Sequence, residues 1–173
     1  MIKNVLMLLC IIHSMVFFGQ DDVITFPEKD GKIDLEQIVD VEGVPKDELF
    51  NRAKVWVIDS FKNEKYVTST DDRELGEIKG SGIFTILKNQ NVSFSFRVSV
   101  KENKYKYNIF DIIYLDNYNN KTSIDLQYYY DRYKSGKKLG KGITTKYVAE
   151  SKEQIYLIIT SLKVAMSSTD GGW

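Results

Sequence analysis

VPKDELFNRAKVWVIDSF, residues 44–61, is the stretch on which the reading of the fold turns. Leu49, Phe50, Ala53, Trp56, Val57, Ser60 and Phe61 recur at steps of three and four, which is one stripe of a 3.6-residue helix. Lys46, Asp47, Glu48, Asn51, Arg52, Lys54, Asp59 and Lys62 cover the opposite side. Pro45 suits the first turn, where its missing N–H goes unneeded, and Asp47 and Glu48 bring negative charge to the positive end of the helix dipole. A helix with Trp and Phe on one stripe needs a broad apolar surface beneath it.

The segments downstream can supply that surface. Val92, Phe94, Phe96, Val98 and Val100 alternate with Ser93, Ser95, Arg97, Ser99 and Lys101, the pattern of an antiparallel strand with one face dry and one wet. Glu102-Asn103 predicts a tight hairpin, after which Tyr105, Tyr107 and Ile109 alternate with Lys104, Lys106 and Asn108. The phase changes over residues 110–113, which predicts a bulge, and the strand ends near Asp116-Asn117. Before Asn89-Gln90-Asn91, read as a turn, Ile78, Gly80, Gly82, Phe84 and Ile86 share one face, with Lys79, Ser81, Ile83, Thr85 and Leu87 on the other. Two glycines within a strand mark a bend or a close approach, and the Trp- and Phe-bearing helix is the natural occupant.

Outside this centre the signals are shorter. Residues 21–31 read as a polar lead-in with an edge segment and an Asp30-Gly31 turn, and residues 33–41 as a first strand. Residues 66–70 read as a second strand, broken by Asp71-Asp72. Residues 117–122 are loop-like, residues 124–133 fit a strand or a short helix equally, and residues 135–142 form a basic glycine loop. Helical periodicity returns at residues 148–166, where Ala149, Ile155, Ile158, Ile159, Leu162 and Met166 share a side. Ser151 followed by Gln154 fits a capping box, which starts that helix at Lys152. The expected architecture is α+β: a curved antiparallel sheet of about five strands with two helices packed on one face, in the order β-α-β-β-β-β-α.

Residues 1–20 read as a secretory signal: Lys3, an apolar run from Val5 to Phe18, then Gly19-Gln20 ahead of Asp21-Asp22. Phe17 and Phe18 stand where a small residue would favour cleavage, so an uncleaved anchor is the competing reading, although the run is short for a membrane span. This divides the chain into a signal (1–20), one domain (21–166) and a tail (167–173). Cleavage would remove Cys10 and His13, the only cysteine and histidine in the chain. The exported domain would then lack thiol nucleophiles, Cys/His zinc sites and histidine triads, leaving acid–base work to Asp, Glu, Lys or Tyr. The 24 basic and 24 acidic side chains cancel, which speaks against an electrostatic nucleic-acid binder.

The runs VEGVPKDELFNRAKVWVIDSF, DDRELGEIKGSGIF and VSFSFRVSVKENKYKYNI resemble a domain family of unknown function from exported proteins of Bacteroidetes-type bacteria, described as having a fold like the TATA-box-binding protein (TBP-like). The resemblance spans roughly residues 41–108, with the Trp56 helix, the Asp72…Gly76-x-Ile78 stretch and the hairpin of residues 101–107 as matching positions. It implies a fold and a localisation. The family has no assigned activity, and a saddle-shaped sheet is a geometry rather than evidence of DNA binding.

Other motifs weigh less. The segment GKKLGKG, residues 136–142, is one residue short of a phosphate-binding loop, and Gly142 stands where Ser or Thr belongs. Tyr128, Tyr129, Tyr130 and Tyr133 near Lys134, Lys137, Lys138 and Lys141 mix rings with charge, but read mainly as core plus surface. Asp71, Asp72, Glu74 and Glu77 lack calcium-loop spacing and read as turn chemistry. No cofactor or metal is implied.

The functional surface expected from architecture is the bare face of the sheet: Lys79, Ser81 and Thr85, and above all Ser93, Ser95, Arg97, Ser99, Lys106 and Asn108. The leading expectation is a non-enzymatic envelope module that binds a protein or glycan there, without nucleic acid and without a membrane span once the signal is removed. A carboxylate- and tyrosine-based hydrolase or transferase is the rival, and a structural subunit-packing module the third reading.

Overall fold

Val92, Phe94, Phe96, Val98 and Val100 are all buried, and the layers of the molecule are arranged about that row. The computed structural model describes residues 23–61, 68–115, 124–136 and 140–168. In order these form β1 (Glu28–Lys29), β2 (Lys32–Ile33), β3 (Leu35–Asp40), α1 (Lys46–Ser60), β4 (Thr68–Asp72), β5 (Glu77–Ile86), β6 (Gln90–Lys101), β7 (Lys104–Tyr114), β8 (Ile124–Asp125), α2 (Leu126–Lys134) and α3 (Lys141–Ser167). The main sheet is antiparallel in the order β3-β7-β6-β5-β4, with β8 pairing the far end of β7 and β1-β2 forming a separate small hairpin. Glu102-Asn103 makes the tight β6–β7 turn, with Asn103 in the left-handed region at φ 62°.

The Trp56 helix lies where its stripe requires. The Trp56 ring meets Phe96 edge-on at 5.4 Å, and Phe61, just past the end of α1, stacks on Phe96 at 5.7 Å. A Cβ on Gly82 would fall 2.8 Å from Phe94 Cζ and 3.1 Å from Phe61 Cε1, so this glycine makes room for two rings rather than for helix backbone. Ser60 departs from the expected stripe and is exposed. Helix α3 runs beside α1, joined by Trp56 Nε1 donating to Ser161 Oγ at 2.9 Å and by Arg52 Nη1 donating to the Met166 carbonyl at 2.8 Å. Helix α2 packs against α3 on the same side, where Tyr129 meets both Tyr114 and Tyr147 edge-on. The two expected helices thus share one face of the sheet, with a third, shorter one beside them.

Several boundaries differ from the sequence reading, each for a physical reason. The final helix begins at Lys141, directly after Gly140 at φ 72°, and not at Lys152. Thr144 and Val148 extend its buried stripe, and the Ser151 hydroxyl, read as a cap, is buried mid-helix 2.7 Å from Tyr114 Oη. The segment left open at 124–133 is a two-residue strand followed by a helix capped by Asp125, whose side chain accepts from Tyr128 N. Strand β4 runs through Asp71-Asp72 instead of breaking there, because Asp71 is paired with Ile78 and ion-paired with Lys54, and the turn follows at residues 73–76. The β5–β6 turn falls at residues 87–89, with Leu87 and Lys88 at positive φ and Glu150 of α3 accepting from Leu87 N at 2.8 Å. The first strand is interrupted at Asp34, and its Ile38 points away from the helices and is 62% exposed. Ser167 closes α3 rather than opening a tail. The signal (1–20), the loop at 117–122 and residues 169–173 with Trp173 lie outside the described residues.

Candidate functional site: the open face of the sheet

Directly opposed residues of an antiparallel pair point to the same side, so the strand register reads out the second face of the sheet. One cross-strand row is Glu77, Ser99, Lys106 and Ile38, and the next is Lys79, Arg97, Asn108 and Glu36. Beyond these lie Ser81, Ser95 and Phe110, then Ile83, Ser93 and Ile113. The register shift between Ser93 and Ser95 is the expected bulge, and Asp111 takes it up at φ 51°. Ser93, Ser95, Arg97, Ser99, Lys106 and Asn108 therefore share one surface, all partly buried by their neighbours. No described helix packs on it.

The electrostatics of that surface centre on Glu77. Its Oε1 lies 2.5 Å from Lys79 Nζ, its Oε2 lies 3.4 Å from Arg97 Nε, and Ser99 Oγ donates to Oε2 at 3.5 Å. Lys106 Nζ reaches Glu36 Oε2 at 3.3 Å. The Arg97 guanidinium carbon sits 5.9 Å from the Phe110 ring centroid, a cation–π contact. Despite its distance to Glu77, Arg97 Nε lacks hydrogen-bond geometry, and among the described residues it is the buried side-chain nitrogen without a hydrogen-bond partner. At the hairpin end, Ile38, Ser99, Lys101, Lys104, Tyr105 and Lys106 line a hollow of about 260 Å³.

Sequence reasoning placed Glu77 in an acidic turn cluster and left Glu36, Ile38 and Phe110 unassigned to this face. The parity of β5 contains the signal for Glu77, and a count through the bulge contains that for Phe110. Nothing local places β3 beside β7, so Glu36 and Ile38 join only through long-range pairing.

The remaining chemistry is sparse. A hollow of about 440 Å³ opens where β7 runs between the start of β3 and the start of β8, and Asp34, Asp111 and Asp125 line it with Lys32 and Asn108. Asp34 and Asp125 are committed to backbone N–H groups of Glu36 and Tyr128. Among the described residues, no three Asp, Glu, His or Cys side chains are grouped to hold a metal ion. Lys54 holds the Asp71 carboxyl below its usual range by hydrogen bond and charge, but Asp71 is an exposed strand-edge residue. No described helix is long and apolar enough to cross a membrane.

Comparisons with known proteins agree with this architecture. A family model described as "Domain of unknown function (DUF4468) with TBP-like fold" matches residues 36–115, the span from β3 through β7. The chain is similar to the crystal structure of a TBP-like protein from Parabacteroides distasonis, at 19% identity and TM-score 0.59 over 79% of this chain and 96% of that one. It is equally similar to a DUF4468 family protein from Bacteroides ovatus, at 18% identity and TM-score 0.59 over 86% of this chain and 94% of that one. Among curated proteins, none matches. Residues 36–115 thus match the DUF4468 family of unknown function, and the sheet with its helices has the TBP-like fold of that family.

Proposed function

We propose that this chain is an exported cell-envelope domain without a catalytic role, which binds a partner protein or glycan through the open face of its sheet. One observation carries the reading: the described helices lie on one side, while the other presents serines, Arg97, Lys106 and Asn108 with no described helix over them. A polar sheet face that needed only to stay wet would be served by any charged residues. This one holds a partly sheltered guanidinium against a phenyl ring, with small hydroxyls beside it.

The test is the double variant Arg97→Glu/Lys106→Glu, used to capture partners from envelope extract. Loss of the partner held by the wild-type domain is the expected result, with circular dichroism unchanged, since the ion pairs removed are partly exposed and each is worth about 0–1 kcal/mol. Unchanged capture would overturn the assignment of the face. The address is tested separately, by N-terminal sequencing of the protein from the envelope fraction. A start just after Gly19-Gln20 is expected, and retention of the first twenty residues would refute it.

A further inference from the structure

Along β6 the open face forms a shallow trough. Ser93, Ser95 and Ser99 give it a low floor, Ser81 and Ile83 of β5 flank it on one side, and Phe110 and Ile113 of β7 on the other. Arg97 interrupts that floor, opposite Lys79 on β5 and Asn108 on β7. The carboxylate beside it, Glu77, is already engaged by Lys79 and Ser99, and it meets Arg97 Nε at 3.4 Å without hydrogen-bond geometry. A sheltered donor without an acceptor costs about 1–3 kcal/mol, and a native structure that keeps one calls for an explanation. The Arg97 side chain as a whole is 43% exposed although its Nε is sheltered. Tipping it away from Glu77 would present Nε and Nη together, a fork matched to a carboxylate.

The spacing of the trough matches an extended chain. In a strand, side chains on one face recur about every 7 Å, the same interval at which Arg97, Ser95 and Ser93 follow one another along β6. A carboxylate seated over Arg97 therefore brings the next two downward side chains over the Ser95 row, beside Phe110, and the Ser93 row, between Ile83 and Ile113. The serines leave depth for apolar groups and the flanks supply apolar contact. A pyranose would need a bare aromatic face; Phe110 is the aromatic residue in these rows, and Arg97 already lies over it. We infer that the trough docks an extended segment of a partner protein that carries, on one face, an acidic side chain and then apolar ones at the next two alternate positions, the acid forking onto Arg97. This rests on the open face being the binding surface, and it names the chemistry of the partner.

The test uses the purified chain, isotopically labelled for amide NMR, and two blocked synthetic peptides, one with glutamate, valine and valine at alternate positions separated by serines and one with lysine in place of that glutamate. The glutamate peptide should shift the amides of Ser93, Ser95, Arg97 and Phe110 saturably, and the lysine peptide should not. Arg97→Ala should weaken the glutamate peptide roughly tenfold, and Arg97→Lys should recover part of the loss as a point charge without the fork. Ser95→Leu, which fills the floor without altering charge, should weaken it as well. Equal binding by Arg97→Ala, equal binding of the lysine peptide, or saturable shifts from polygalacturonate in place of the peptide would each overturn the inference. If the peptide fails while Arg97→Glu/Lys106→Glu still abolishes partner capture, the peptide chemistry is wrong and the face stands. If that double variant captures the partner normally, the face itself is wrong and the inference falls with it.

Discussion

Tyr114 and Ser151 form a small polar contact inside an apolar wall. Tyr114 Oη lies 2.7 Å from Ser151 Oγ and also reaches the Tyr147 carbonyl at 3.4 Å, while Ser151 itself has no exposed surface. Removing one member leaves the other buried without that partner, which costs about 1–2 kcal/mol. Tyr114→Phe and Ser151→Ala should each lose about that much in urea unfolding, and the double variant little more than either, a coupling of about 1 kcal/mol. Additive losses would show that the two hydroxyls do not depend on each other. Buried tyrosines also set the alkaline limit. Burial, with a smaller contribution from Tyr107, pushes the Tyr105 hydroxyl up to about 12, and burial raises Tyr107 and Tyr114 as well. In the unfolded chain these groups ionise near pH 10, so above that pH the unfolded state has shed protons that the folded state keeps. Stability is therefore full below about pH 10 and falls as pH rises toward the folded values, by about 1.4 kcal/mol per unit for each such tyrosine. Urea midpoints across that range should be flat and then drop, and tyrosinate absorbance should rise in step with unfolding.

At the scale of elements, helix α3 is held at both ends by contacts from elsewhere in the chain. Arg52 of α1 donates to the Met166 carbonyl in its last turn and is only 14% exposed in its side chain, while Glu48 positions the same guanidinium at 3.0 Å. Arg52→Ala should cost about 1–2 kcal/mol and speed hydrogen exchange in the last turn of α3 ahead of its middle. Uniform acceleration along the helix would mean that the contact does not cap it. Such contacts also explain what could be read in advance. The α1 stripe was legible because Leu49, Phe50, Ala53, Trp56 and Val57 are apolar and regularly spaced. The first seven residues of α3, KGITTKY, were not, because the buried position there is Thr144, and Gly142 and Thr145 speak against a helix. What holds that turn is Tyr147 stacking on Tyr114 at 5.3 Å, a partner more than thirty residues away in sequence.

For the molecule as a whole, the lead-in is part of the core. Phe26 is buried against Tyr130, edge-on at 5.2 Å, and the Tyr130 and Tyr133 hydroxyls accept from the backbone N–H groups of Phe26 and Ile24. Deleting residues 23–27 should cost roughly 3 kcal/mol or more, visible as a lower Tm with a single cooperative transition. An unchanged Tm would make the lead-in ornamental. The two-layer plan was readable from one face of β6 and one stripe of α1, and so was the parity that puts Ser93, Ser95, Arg97 and Ser99 together. The state of Arg97 was not, since an unpartnered Nε depends on which way Glu77 is pulled by Lys79.

The two outermost strands of the sheet have a further consequence. Strand β4 ends in Asp71-Asp72 and strand β3 carries Glu36 and Asp40, so each margin carries exposed carboxylates, of which Asp71 and Glu36 are ion-paired with Lys54 and Lys106. A neighbouring copy that added its own margin would have to crowd these carboxylates against a second sheet edge, which works against such pairing. Edge-to-edge association is therefore opposed by side chains that stay outside the apolar core.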